Sequence, residues 1–142
     1  MIRIIFISLL VTALISACSG DESKLKGKWK LLKEENSQGK LIDPKISEIK
    51  DVTYEFHDRN RYSKQGIVTG NGDEKLVTNT GEWELSTLKD KATEVKTLQL
   101  ILREERLEGV LEMKFQIDTI SEDQMIWVDT RNNQFYFSNI SE

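Results

Sequence analysis

Along most of the chain apolar and polar residues alternate in steps of two, the spacing of a strand with one wet face, and helical 3.6-residue spacing is rare. The clearest run sets Leu111, Met113, Phe115 and Ile117 against Glu112, Lys114, Gln116 and Asp118. Val52, Tyr54 and Phe56 alternate with Thr53 and Glu55, and Trp83 and Leu85 with Glu82, Glu84 and Ser86. Leu98, Leu100 and Leu102 make a further face, whose polar side Ile101 interrupts. With residues 26–33, 61–69, 124–129 and 133–139, the pattern predicts eight strands.

Short polar stretches separate most of them. Asp58-Arg59-Asn60, Gly70-Asn71-Gly72-Asp73, Arg106-Leu107-Glu108-Gly109 and Arg131-Asn132-Asn133 are rich in residues that tolerate positive φ, as hairpin turns require. Consecutive hairpins make a meander, and a meander of eight strands hides its edges by closing. The expected fold is therefore all-β, an eight-stranded antiparallel up-and-down barrel. The one long connection, residues 34–50, holds the only proline. Asp43-Pro44 suits a helix N-cap and first turn, with Ile46 and Ile49 on one face of a short helix. Such a helix covers a barrel mouth or is a plain surface turn; the sequence leaves both open.

The first twenty residues belong to a different regime. Met1–Arg3 is a short positive start, and 4–15 is an apolar run broken only by Ser8 and Thr12, too short for the roughly 20 residues of a membrane span. It ends in Ile15-Ser16-Ala17-Cys18, which resembles the lipobox of bacterial lipoprotein precursors. That resemblance implies a removed signal peptide over 1–17, a diacylglycerol and further acyl lipid such as palmitate on Cys18, and a flexible tether over 18–24 leading to a barrel domain over 25–142. The lipid would be the only attached group, since no cofactor motif is present. Two or more acyl chains hold a protein to a membrane stably, at about 0.8 kcal/mol per buried CH₂. Ser19 in place of an aspartate favours the outer membrane, on its periplasmic or surface face. The acidic Asp21-Glu22 is similar to surface-export signals of Bacteroidetes lipoproteins. The implied location is the bacterial cell envelope.

Composition then narrows the partners. Without residues 1–17 the chain keeps 125 of its 142 residues, one domain's worth, and 19 basic against 24 acidic side chains give a net charge of −5. An acidic domain with no Lys/Arg cluster does not suit a phosphate backbone, so no nucleic acid is expected. Cys18 is the only cysteine, so the domain has no internal disulfide.

Leu25-Lys26-Gly27-Lys28-Trp29-Lys30-Leu31 resembles the G-x-W first strand of lipocalin-like proteins, with Gly27 and Trp29 as its fixed points. Tyr54-Glu55-Phe56, Asn60-Arg61-Tyr62, Gly81-Glu82-Trp83-Glu84-Leu85 and the stretch Ile120 to Ile126 follow in an order similar to small bacterial lipocalin-like lipoproteins. The resemblance covers most of 24–138. It implies that Trp29 packs at the closed end, with Arg131 as a possible partner, and that the barrel interior holds a small, mostly apolar molecule. The C-terminal helix of secreted lipocalins has no counterpart here.

Barrels of eight strands are either filled by side chains or just hold one small ligand. Tyr54, Phe56, Tyr62, Trp83, Met113 and Phe115 are the inward residues whose bulk decides this, and hence the candidate ligand-binding residues. Trp29 and Trp127 read as core. Catalytic signals are absent: His57 is the only histidine, so no multi-histidine metal site can form, and no nucleophile elbow or phosphate loop occurs. His57-Asp58 reads as a solvated turn, and the Asn139-Ile140-Ser141 sequon as empty. Two functions follow as expectations, neither enzymatic: a membrane-anchored protein binding a small hydrophobic ligand, or a filled-barrel interaction module engaging another envelope protein as inhibitor or assembly accessory.

Overall fold

Period-2 alternation places every second side chain on one face, and a twisted eight-strand meander wraps that face inward. The structure, a computed structural model describing residues 21–42 and 49–141, is a closed antiparallel barrel with strands in chain order. They are β1 (Gly27–Glu35), β2 (Ile49–His57), β3 (Arg61–Gly70), β4 (Asp73–Lys89), β5 (Lys96–Arg106), β6 (Gly109–Ile120), β7 (Gln124–Val128) and β8 (Gln134–Asn139). β8 returns to β1, pairing Leu31 with Phe137 and Trp29 with Asn139, so no edge is left open. Asn60, Asn71 and Asn132 take positive φ in three of the expected turns.

The two ends of the barrel differ. At the base lie the turns after β2, β4 and β6 and both described chain ends. Residues 21–25 form one helical turn, further than the expected tether extends in order. Its Leu25 is fully buried and its carbonyl accepts the Trp29 Nε1–H at 2.8 Å. Gly27 is where the C-terminal segment crosses: φ is +121°, and a Cβ there would overlap Ser141 Oγ, whose oxygen accepts the Lys28 N–H at 2.7 Å. The G-x-W glycine thus serves both a backbone conformation and a close approach. Arg131 does not partner Trp29. It is exposed in the β7–β8 turn at the mouth, the opposite end, where its N–H donates to Asp129 Oδ1 at 2.9 Å.

Three register shifts break the alternation, one of them between Ile117 and Thr119 on β6 against β7; the other two reposition inward side chains. One between Leu31 and Lys33 leaves Leu32 exposed and turns Glu34 to the inner face opposite Phe135. The other lies between Lys50 and Thr53, with Asp51 at φ 51°. The expected short helix falls on 43–48, outside the described residues; Ile49, expected on its apolar face, begins β2 instead. β4 is far longer than the Trp83–Leu85 pattern indicates, because its first half carries few apolar residues.

Candidate functional site

The lower interior is packed with rings. Trp127 lies 4.3 Å from Phe137, 4.9 Å from Phe115 and 5.0 Å from Tyr54, centroid to centroid, and Phe56 meets Trp83 edge-on at 6.2 Å. These are the tilted and edge-to-face spacings aromatic pairs favour. Tyr54, Phe56, Tyr62 and Trp83 are buried here, while Met113 and Phe115 are half-buried and pack against the cluster from above. All six candidate residues therefore share one interior, the first four as its floor.

Above the floor the inner face changes character. The inward positions Glu34, Val52, Lys64, Asn79, Met113 and Phe135 are only half-buried, whereas Tyr54, Tyr62, Gly81, Ile117 and Phe137, nearer the base on the same faces, are sealed. An inward side chain that still meets solvent marks an open cup, with its mouth at the Arg106–Gly109 end. Its wall is mixed: Val52, Met113 and Phe135 are apolar, whereas Glu34 and Lys64 carry opposite charges.

The unexpected feature is Glu104, the buried charged residue of the described chain, with no exposed surface. It continues the inward parity of Leu100 and Leu102 on β5. Its Oε2 is in ion-pair contact with the half-exposed Arg106 guanidinium, without hydrogen-bond alignment, and its Oε1 has no partner in the protein. The Tyr62 hydroxyl and the Trp127 Nε1–H are also buried and unpartnered. The other two indoles are satisfied, Trp29 by Leu25 O and Trp83 by His57 O at 3.2 Å.

Register explains why Tyr62 and Glu104 come together. On the inner face Tyr62 pairs with Gly81, and Gly81 with Glu104. A Cβ on Gly81 would lie 2.7 Å from Tyr62 Cε1, so the ring leans over the glycine into the gap beside Glu104. Burial first, then the Glu104 carboxylate, pushes the Tyr62 phenol up; burial, Tyr62 and Glu104 do the same to Tyr54. Burial pushes the Lys64 ammonium down against the pull of Glu104, and its Nζ sits 5.6 Å from the Tyr54 ring centre. Burial, reinforced by Asp129, pushes the Glu34 carboxyl up.

A second concavity, about 890 Å³, opens at the base between the 21–25 turn and the ends of β4, β5 and β6. Leu85, Leu98, Ile117 and Ile120 floor it, and Asp21, Glu22, Lys96 and Asp118 rim it. It holds none of the buried unpartnered polar atoms. Among the described residues no group of three His, Cys, Asp or Glu side chains could hold a metal ion. His57 is exposed, 3.4 Å from Ser63 Oγ, and Asp58 pairs with Lys26 at 2.9 Å. Cys18 lies outside the described residues.

No protein-family model and no curated protein matches the chain. Among solved structures, the crystal structure of a lipocalin-like protein from Bacteroides uniformis ATCC 8492 matches with a TM-score of 0.54. The match covers 82% of this chain and 99% of that one, at 18% identity. At that identity the likeness concerns the fold. The class it and the closed eight-strand topology define is the lipocalin-like barrel.

Proposed function

We propose that this protein is a lipid-anchored lipocalin-like binding protein of the bacterial envelope, whose cup takes a small, mostly apolar molecule. The observation that carries the reading is the graded inner face: sealed aromatic rings at the floor and half-buried Val52, Met113 and Phe135 above them. A mixed concave wall with a few convergent polar groups is the usual form of a small-molecule site. The lipid on Cys18 and the outer-membrane location are proposed from the lipobox resemblance.

The test is titration with an apolar naphthylamine dye that fluoresces when desolvated. Saturable binding lost in Met113→Trp, which fills the cup, and kept in Leu98→Trp, which fills the basal cleft, supports the reading. Loss only in Leu98→Trp moves the site to the base; no saturable binding removes the reading.

The interaction-module reading is favoured by a different observation. Leu41, Leu76, Leu107 and Val110 are well exposed around the mouth, outnumbering Leu88, Val95 and Ile140 at the base, and an apolar rim of this kind suits a protein partner. Crosslinking in the intact envelope from a photoreactive residue at position 107 tests it.

A further inference from the structure

The proposed anchor bears on which end of the barrel meets the membrane. Asp21 follows Cys18 by three residues, and that is at most about 10 Å of extended chain. From Asp21 onward the chain is held. Residues 21–25 form a helical turn in which the Lys26 N–H donates to Glu22 O at 3.2 Å, and Leu25 is fully buried. Asp21 and Glu22 share the basal concavity with Val95, Lys96 and Asp118, so the chain enters beside the β4–β5 hairpin.

The mouth lies beyond the reach of that lead. β6, with 12 residues, runs from mouth to base. At about 3.3 Å per residue and a tilt of about 40°, a strand of this length sets the two ends about 30 Å apart. Although the mouth exposes more apolar side chains, a lead of about 10 Å cannot carry it past that length to the bilayer. A barrel lying on its side would present a charged outer face, where Arg103 pairs with both Glu84 and Glu112, and would gain no apolar contact.

The base offers what a lipid surface needs. Leu88 and Val95 stand on the hairpin beside the point of entry, each at least half-exposed, with the apolar floor of the cleft behind them. Interfacial binding grows with the apolar area buried and with charge attraction. On the hairpin Lys89 and Lys91 are balanced by Asp90 and Glu94, and around the cleft Asp21, Glu22 and Asp118 outnumber Lys96. Such a weakly acidic rim suits zwitterionic headgroups, whose ammonium groups stand outermost, better than an anionic surface. Two apolar side chains would not hold a free protein to a bilayer. An inserted lipid makes their contact an intramolecular step, at an effective concentration of about millimolar.

We propose, resting on the lipid anchor at Cys18, that the base docks on the bilayer through the β4–β5 hairpin, with Leu88 and Val95 among zwitterionic headgroups. The cup then opens away from its own membrane. Its ligand arrives from the aqueous side or from a partner at the rim, not by lateral entry from the bilayer.

The mature lipidated protein, added to preformed vesicles of phosphatidylcholine and phosphatidylethanolamine, tests this. The lipid occupies the one cysteine of the chain, so a cysteine introduced elsewhere takes a solvatochromic label alone. Ala92→Cys puts the label on the hairpin and Glu108→Cys puts it at the mouth, both exposed positions. The label at 92 should shift to the blue and escape quenching by aqueous iodide, while the label at 108 stays fully quenchable. Adding Leu88→Ser and Val95→Ser, which change exposed side chains outside the core, should restore quenching at 92. Equal quenching at 92 and 108, protection at 108 instead, or protection at 92 that survives the serine pair overturns the docking surface and leaves the anchor standing. Protein that carries no lipid mass and fails to float with the vesicles overturns the anchor and the docking with it.

Discussion

Glu104 faces Gly81 directly across the β4–β5 ladder, and the space beside the glycine is taken by the Tyr62 ring from the next strand. A carboxylate with no exposed surface is thus housed by a residue that contributes no side chain. Gly81→Ala places a methyl against the Arg103 carbonyl oxygen and 2.7 Å from Tyr62 Cε1, with backbone on one side that cannot yield. Overpacking of this kind costs about 1–3 kcal/mol, and urea unfolding followed by tryptophan fluorescence should show that loss. An unchanged midpoint would mean that Tyr62 is free to swing away.

Glu104 should stabilise the fold little or not at all. Its ion-pair partner Arg106 is half-exposed and finds water once released, and the half-buried Lys64, which also feels the carboxylate, keeps the attraction of Glu34. Replacing buried ions by apolar groups of similar size is often neutral or stabilising. Glu104→Met is expected to be between unchanged and about 2 kcal/mol more stable in thermal or urea unfolding. A clear loss would show that the carboxylate supports the barrel itself.

The inward turn of Glu34 gives a pH signature. Burial holds its pKa above the ordinary 4.5, so the folded chain keeps this proton more tightly than the unfolded chain. The native state therefore loses stability as pH rises from 4.5 through the folded value. Glu35, Asp58 and Glu105 are shifted the other way, by hydrogen bonds from Lys33, Lys26 and Arg61, and their small surface contributions are lost only as pH falls through their folded values. Glu34→Gln should match the wild type at low pH and be the more stable protein above it, with a gap that widens and then levels. Urea midpoints from about pH 3.5 to 7 read this directly, and a gap constant with pH would count against it.

Cys18→Ala tests the envelope address. The proposed anchor predicts that the wild type takes up an alkyne-tagged fatty acid and sediments with membranes, while the variant takes up no label and becomes soluble. Label retained on the variant would contradict lipidation at Cys18.

Eight strands were legible in the alternation because each contributes at least two apolar side chains to one face, Met113 and Phe115 most plainly. The first half of β4 was not, since residues 73–80 carry only Leu76 and Val77 as apolar members. The polar half of the site hid for two reasons. Glu104 and Arg106 keep the parity of Leu98, Leu100 and Leu102, so counting in twos past the last leucine would have placed them inside; their charge made the strand seem to turn outward. Glu34 could not be found by parity, because the bulge after Leu31 shifts the count by one residue and no signal in the sequence marks it. The aromatic floor was legible by contrast, as large rings on inward positions of a barrel have few other places to go.

The central claim is that the cup holds a small apolar molecule. Native mass spectrometry of the full protein purified from its own envelope, followed by unfolding and identification of what is released, tests it most directly. The account predicts one small, mostly apolar compound per chain, present on the wild type and absent from Met113→Trp. A mass equal to the bare lipidated chain, with nothing released on unfolding, would contradict it.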